Sequence, residues 1–145
     1  MNRRADLWRE GRGRNGPFSS LMPISTEVTP LGIGGAIPAR GRHLSGLALR
    51  REGRVLLFDC GEGTQLQLLR AGLLGNRLEA IFITHLHGDH VFGLPGLLST
   101  LALLERQRPL AVVAPVGVRA MLEAAPGIDM DGGTYPLHLT ELPEG

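Results

Sequence analysis

Lysine is missing from this sequence: all 15 basic residues are arginine. Five of them, Arg3, Arg4, Arg9, Arg12 and Arg14, fall in the first 14 residues against Asp6 and Glu10, so that stretch carries +3. Residues 15–145 hold ten arginines against twelve acidic residues and are −2. With no basic stripe on the rest of the chain, charge alone does not argue for a nucleic-acid partner. Arginine-only usage fits a coding bias of the source genome better than a phosphate-binding design. Cysteine is nearly absent as well. The single Cys60 excludes an internal disulfide framework and fits a reducing compartment, so a cytoplasmic protein is expected. Long apolar runs are also lacking. The best, "VFGLPGLLSTLALL" at 91–104, is broken by Gly, Pro, Ser and Thr and falls short of the roughly 20 residues that a membrane span needs. The N-terminus has charge but no uninterrupted apolar segment of the kind a secretory signal carries.

What is present suits one α/β domain, at 145 residues with 43% apolar content. Residues 1–26 show no sustained period and many Gly, Arg and Pro, and read as an extension or a start codon placed too early. The domain is expected over 27–145. "GLALRREGRVLLFDC" reads as two strands joined at Glu52-Gly53, a hairpin dipeptide. "TQLQLLRAG" reads as a short helix, with Thr64 and Gln67 spaced as a capping box, apolar residues at 66, 68 and 69, and Gly72 as a stop. "LEAIFITH" is a strand apolar enough for both faces to be covered. A helix is expected over 91–105, its first turn broken or delayed by Gly93 and Pro95. "PLAVVAP" then reads as a strand, "GVRAMLEAA" as a helix and "TYPLHLTEL" as a last strand. Strands alternating with helices imply a sheet faced by helices.

The chemistry concentrates in "FITHLHGDHVFG", where His85, His87, Asp89 and His90 fall within six residues directly behind a strand. In extended chain, residues two apart point the same way, about 6.6 Å apart, so His85 and His87 share a face. To bring both imidazoles to one ion the chain must curl, which Gly88 permits. Asp89 and His90 then open a helix, where neighbouring side chains diverge by about 100°, and that divergence lets them serve a second centre. Imidazole and carboxylate donors suit zinc, with manganese or iron as substitutes.

"THLHGDH" matches the H-x-H-x-D-H signature of the metallo-β-lactamase superfamily. Together with "LGIGGAIPARGRHLSGLAL", "LLFDCGEGTQLQLL" and "HVFGLPGLL" it resembles the ribonuclease Z branch over about residues 31–142. That resemblance implies an αβ/βα sandwich of which this chain holds the N-terminal half, one sheet with its helices. It implies two zinc ions, His85 and His87 on the first and Asp89 and His90 on the second, with Asp89 positioning or deprotonating the attacking water. The implied reaction is metal-hydroxide attack on phosphorus, removing the 3′ trailer of precursor tRNA, in a homodimer. Two departures stand out: Ile33 where relatives show Thr, and Pro30 where an apolar strand residue is expected. Two other readings stay open: a different hydrolase of the same fold, such as a small phosphodiesterase or arylsulfatase-like member, and a non-catalytic metal-binding remnant.

The remaining features weigh less. "LGIGGA" is not a nucleotide loop, since Ile37 stands where the last glycine belongs and Pro38 where a helix should open; its glycines are read as letting backbone pass beneath the metal site. Asp59 is expected to brace the metal loop, Cys60 to pack, and neither His43 nor His138 to ligate. The resemblance places a further His, a bridging Asp, a last His and a tRNA-binding arm downstream of the matched region. The chain is therefore expected to be a truncated product or an incomplete gene model, with an apolar sheet face left open, weak zinc binding and little cleavage of its own.

Overall fold

The computed structural model describes residues 25–37, 39–130 and 133–143. The extension expected over 1–26 lies outside these, apart from its last two residues, and Thr26 already opens the first strand. The elements are β1 (Thr26–Gly32), β2 (Gly46–Arg51), β3 (Arg54–Phe58), α1 (Thr64–Arg70), β4 (Leu78–Phe82), α2 (Gly88–Val91), α3 (Leu94–Leu103), β5 (Leu110–Pro115), α4 (Val118–Glu123) and β6 (Leu137–Leu142). The six strands form one sheet in chain order, β1-β2-β3-β4-β5-β6. β1, β2 and β3 pair antiparallel; β3 to β6 run parallel. Among the described residues no helix is long and apolar enough to cross a membrane.

Local chemistry explains these elements. Glu52 (φ 51°) and Gly53 (φ 79°) both take left-handed conformations, the geometry of a type I′ turn whose twist matches the flanking strands. Pro30 is tolerated because β1 is an edge strand, where a missing N–H costs the ladder least. The register shifts between Pro30 and Gly32, and Ile33, just past the strand, is exposed. α1 ends as expected: Gly72 (φ 67°) lets its own N–H bond Leu69 O, and the Leu73 N–H bond Leu68 O, a Schellman stop with Leu68 and Leu73 in the core. Its start differs. Gly63 (φ 80°) precedes the helix without any side-chain cap, and Thr64, expected to cap, is the buried first helical residue. Thr64 Oγ1 and Gln67 Nε2 find no hydrogen-bond partner, so the capping box does not form. Of the three apolar positions on α1 only Leu68 is buried; Leu66 and Leu69 are exposed.

Consecutive parallel strands joined by crossovers of the usual right hand place α1, α3 and α4 on one face of the sheet. Burial agrees. Val55 and Leu57 of β3, Ile81 of β4 and Val112 and Ala114 of β5 alternate into a core shared with Leu68, Leu94, Leu97, Leu101 and Leu122. Their strand neighbours Leu56, Phe58, Ala80, Phe82, Ala111 and Val113 point the other way and are only half-buried. In register they form two rows across the sheet, Leu49-Leu56-Ala80-Ala111 and Leu47-Phe58-Phe82-Val113. β4, apolar enough for cover on both faces, is thus covered on one by the described residues.

Candidate metal centre

The parallel strands deliver their C-terminal ends to one edge, and the site forms there. After Phe82, the Ile83 N–H still bonds Val113 O on β5. The chain then leaves the sheet through Thr84 and His85, runs extended at His87 (ψ 143°) and turns into α2. Gly88 was expected to permit a curl by its conformational freedom, yet it is not among the glycines of positive φ. Its role is spatial: an added Cβ would lie 2.4 Å from the Phe92 ring.

This path gathers the four sequence-predicted residues. The ring centroids of His85 and His87 are 4.7 Å apart, and those of His85 and His90 4.0 Å. Asp89 Oδ2 sits 3.4 Å from His90 Nε2 and accepts a 2.8 Å hydrogen bond from the Ala36 N–H. That N–H, first among several influences, holds the Asp89 carboxyl below its ordinary range. The four side chains therefore lie together, with His85 nearer to His90 than to His87. Among the described residues, no group of three or more His, Cys, Asp and Glu side chains is arranged to hold a metal ion. The donor types are those that suit zinc, but their arrangement does not make a complete site.

Behind the cluster stands Asp59, at the end of β3 with a positive φ of 59° that Asp tolerates better than most residues. Its Oδ1 accepts from the Thr84 N–H (2.9 Å) and the Thr84 hydroxyl (2.8 Å). Its Oδ2 lies 2.7 Å from His90 Nδ1 and 3.4 Å from the Ser45 hydroxyl, which donates to it. Burial pushes this carboxyl up, but the hydrogen bonds from Thr84 and His90 outweigh it and leave the pKa lowered. Thr84 Oγ1 also touches His85 Nδ1 at 3.0 Å. Asp59 had been singled out in the sequence; Thr84 and Ala36 had not. Only the position of Thr84, one residue before the first histidine, could have flagged it.

Two glycines seat the helix against this turn. A Cβ on Gly61 would come within 2.3 Å of Asp89 O, and one on Gly93 within 2.1 Å of Gly61 O. The Cys60 N–H bonds His90 O at 2.7 Å, and the Gly93 N–H bonds Cys60 O at 2.8 Å. The Cys60 side chain is fully buried, which pushes its thiol up to about 12, so it packs and is no nucleophile at neutral pH. His43 is exposed in the loop after β1, and His138 is exposed on β6. The glycine loop does approach the site, through Ala36, and passes so close to Leu44 that a Cβ on Gly32 would lie 1.8 Å from its carbonyl oxygen.

A family model described as the metallo-β-lactamase superfamily matches residues 41–136. The chain belongs to the metallo-β-lactamase superfamily. Among its relatives it is similar to ribonuclease Z of Salinibacter ruber, 56% identical over 118 residues, which cover 81% of this chain and 37% of that one. It is also similar to ribonuclease Z of Enterococcus faecalis, 44% identical over 80% of this chain and 38% of the relative. Among solved structures, human tRNase Z, short form, superposes with a TM-score of 0.74 at 43% identity, covering 83% of this chain and 47% of that one. The chain thus has the metallo-β-lactamase fold, and it spans well under half the length of the curated relatives it matches.

Proposed function

We propose that this chain contributes to a two-zinc endoribonuclease of the ribonuclease Z type that removes the 3′ trailer from precursor tRNA. The convergence of His85, His87, Asp89 and His90 beyond the end of β4 carries this reading, and similarity to relatives named ribonuclease Z supports its substrate. His85 and His87 would hold one ion, Asp89 and His90 the other, with manganese or iron as substitutes. Bound zinc would polarise the phosphodiester and acidify a water to near pH 7. The residues of this chain do the rest. Ala36 anchors Asp89 Oδ2, which leaves Oδ1 to orient the attacking water and take its proton. Arg40 and Arg42, exposed in the loop that carries Ala36, supply cations for RNA phosphates. Two ligands per ion predict weak metal binding and poor cleavage by the 145-residue chain. Exposed Leu66 and Leu69 on α1 offer a contact for a homodimer, and a cytoplasmic location suits the tRNA substrate.

The test pairs zinc titration with a precursor-tRNA cleavage assay on the purified chain. Weak zinc uptake that His87→Ala and His90→Ala each reduce further, with cleavage near background, is the expected outcome. Zinc uptake unchanged by both substitutions would sink the ligand assignment. Efficient cleavage at two equivalents of zinc would sink the claim that more ligands are required.

A further inference from the structure

Independently of the nuclease reading, we infer that the uncovered face of the sheet is a self-association surface, on which two copies of this chain pack sheet on sheet about a two-fold axis that reverses strand direction. The face runs across all six strands. Val28 and His138 extend the Leu49 row at its two ends, and Pro30 and Thr140 extend the Leu47 row. Neither row contains Asp, Glu or Arg, so two identical faces meet without like charges opposed. Six strands about 4.8 Å apart and about 17 Å long present roughly 500 Å². Two such faces together remove about 1,000 Å² from water, which is what a specific interface needs. Side-chain size selects the orientation. Phe58 and Phe82 stack with ring centres 5.1 Å apart and make the Leu47 row a ridge, whereas Ala80 and Ala111 leave the Leu49 row low. An axis across the strands lays the ridge of each copy on the low row of the other, so that large side chains face small ones. An axis along the strands would set ridge on ridge. The contact is isologous and closes at two copies. It is separate from the one on α1, which lies on the opposite face of the sheet.

Sedimentation equilibrium tests this on the purified chain and on a Leu66→Glu, Leu69→Glu chain that lacks the α1 contact. In the substituted chain the mass should rise from one copy to two at concentrations on the order of 10 μM and stop there, while the ANS bound per chain falls. The parent should show the same first step. Leu47→Glu, at a position exposed in the single copy, would bury its carboxylate in the pair and should move the transition to at least about 10-fold higher concentration. Thr140→Glu, at the exposed end of the same row, should weaken pairing too, and it keeps the test decisive if Leu47→Glu does not fold. Ala111→Leu raises the low row and should weaken pairing several-fold; tighter pairing would overturn the axis. A single-copy mass up to roughly ten times the expected concentration overturns the inference, and exclusion of ANS from that single copy would mean that a segment of this chain outside the described residues covers the face. Mass that grows without limit, or a dimer that neither face variant weakens, overturns it as well.

Discussion

Arg106 shows how much one side chain can organise without any trace in the sequence pattern. "ERQRP" reads as a polar connection, yet Arg106 is 1% exposed. Its Nε donates to Arg108 O, Nη1 to Gly75 O and Nη2 to both Leu78 O and Pro109 O, all within 2.9 Å. The guanidinium lies 5.5 Å from the centre of the Tyr135 ring, and the Tyr135 hydroxyl donates to Leu98 O. One planar fork thus ties the approach to β4, the approach to β5 and the segment before β6. Arg106→Met should cost about 3 kcal/mol or more, because four carbonyls lose their donor, and urea unfolding would measure it. Arg106→Lys should recover little, since a single ammonium cannot span four acceptors. A loss under about 1 kcal/mol for either substitution would show that water replaces the fork. The four residues of metal-binding type were legible because they crowd together in sequence. Arg106 and Thr84 were not, because arginine and threonine in loops are ordinary and only partners far along the chain give them meaning.

At the scale of elements, the glycines of "FDCGEG" and "HVFG" explain each other only in space. Gly61 and Gly93 stack backbone on backbone, which brings α2 onto the turn after β3 and presents His90 to Asp59. Gly93→Ala should cost about 3 kcal/mol, near the upper end for overpacking, and should weaken zinc uptake because the helix start moves. Gly72→Ala, at φ 67° with nothing within 4 Å of the new Cβ, should cost only about 1 kcal/mol from backbone strain and leave zinc uptake alone. Equal effects of the two in thermal melts and zinc titrations would contradict close approach as the reason for Gly93. Strands, hairpin turn and helix stops were readable from period and turn chemistry. The capping box failed because Gly63 took the cap position and Thr64 was drawn into the core. Of the apolar positions on α1 only Leu68 reaches the core, because a seven-residue helix buries little more than one stripe.

At the scale of the whole molecule, the helices lie on one face of the sheet, and among the described residues the other face is half-exposed and apolar. Phe58 and Phe82 stack there with ring centres 5.1 Å apart. Such a face should bind a hydrophobic dye such as ANS. Phe82→Ala should reduce dye binding and cost about 1–2 kcal/mol, whereas the adjacent Ile81→Ala, fully buried against the helices, should cost about 2–5 kcal/mol and leave the dye-binding face intact. Similar costs for the two, with dye binding unaffected by Phe82→Ala, would mean that the face is covered in solution.

The sequence alone determined the α/β alternation, the hairpin at Glu52-Gly53 and the crowding of His85, His87, Asp89 and His90. Each is written within a few neighbouring residues, as period, turn chemistry or ligand spacing. Tertiary structure decided that the four side chains come together, that Asp59 and Thr84 contact two of the imidazoles, and that the described residues cover one face of the sheet. Those outcomes join β3 to α2 and β4 to β5, and a contact between distant segments depends on how strands pair and pack, which no local pattern records.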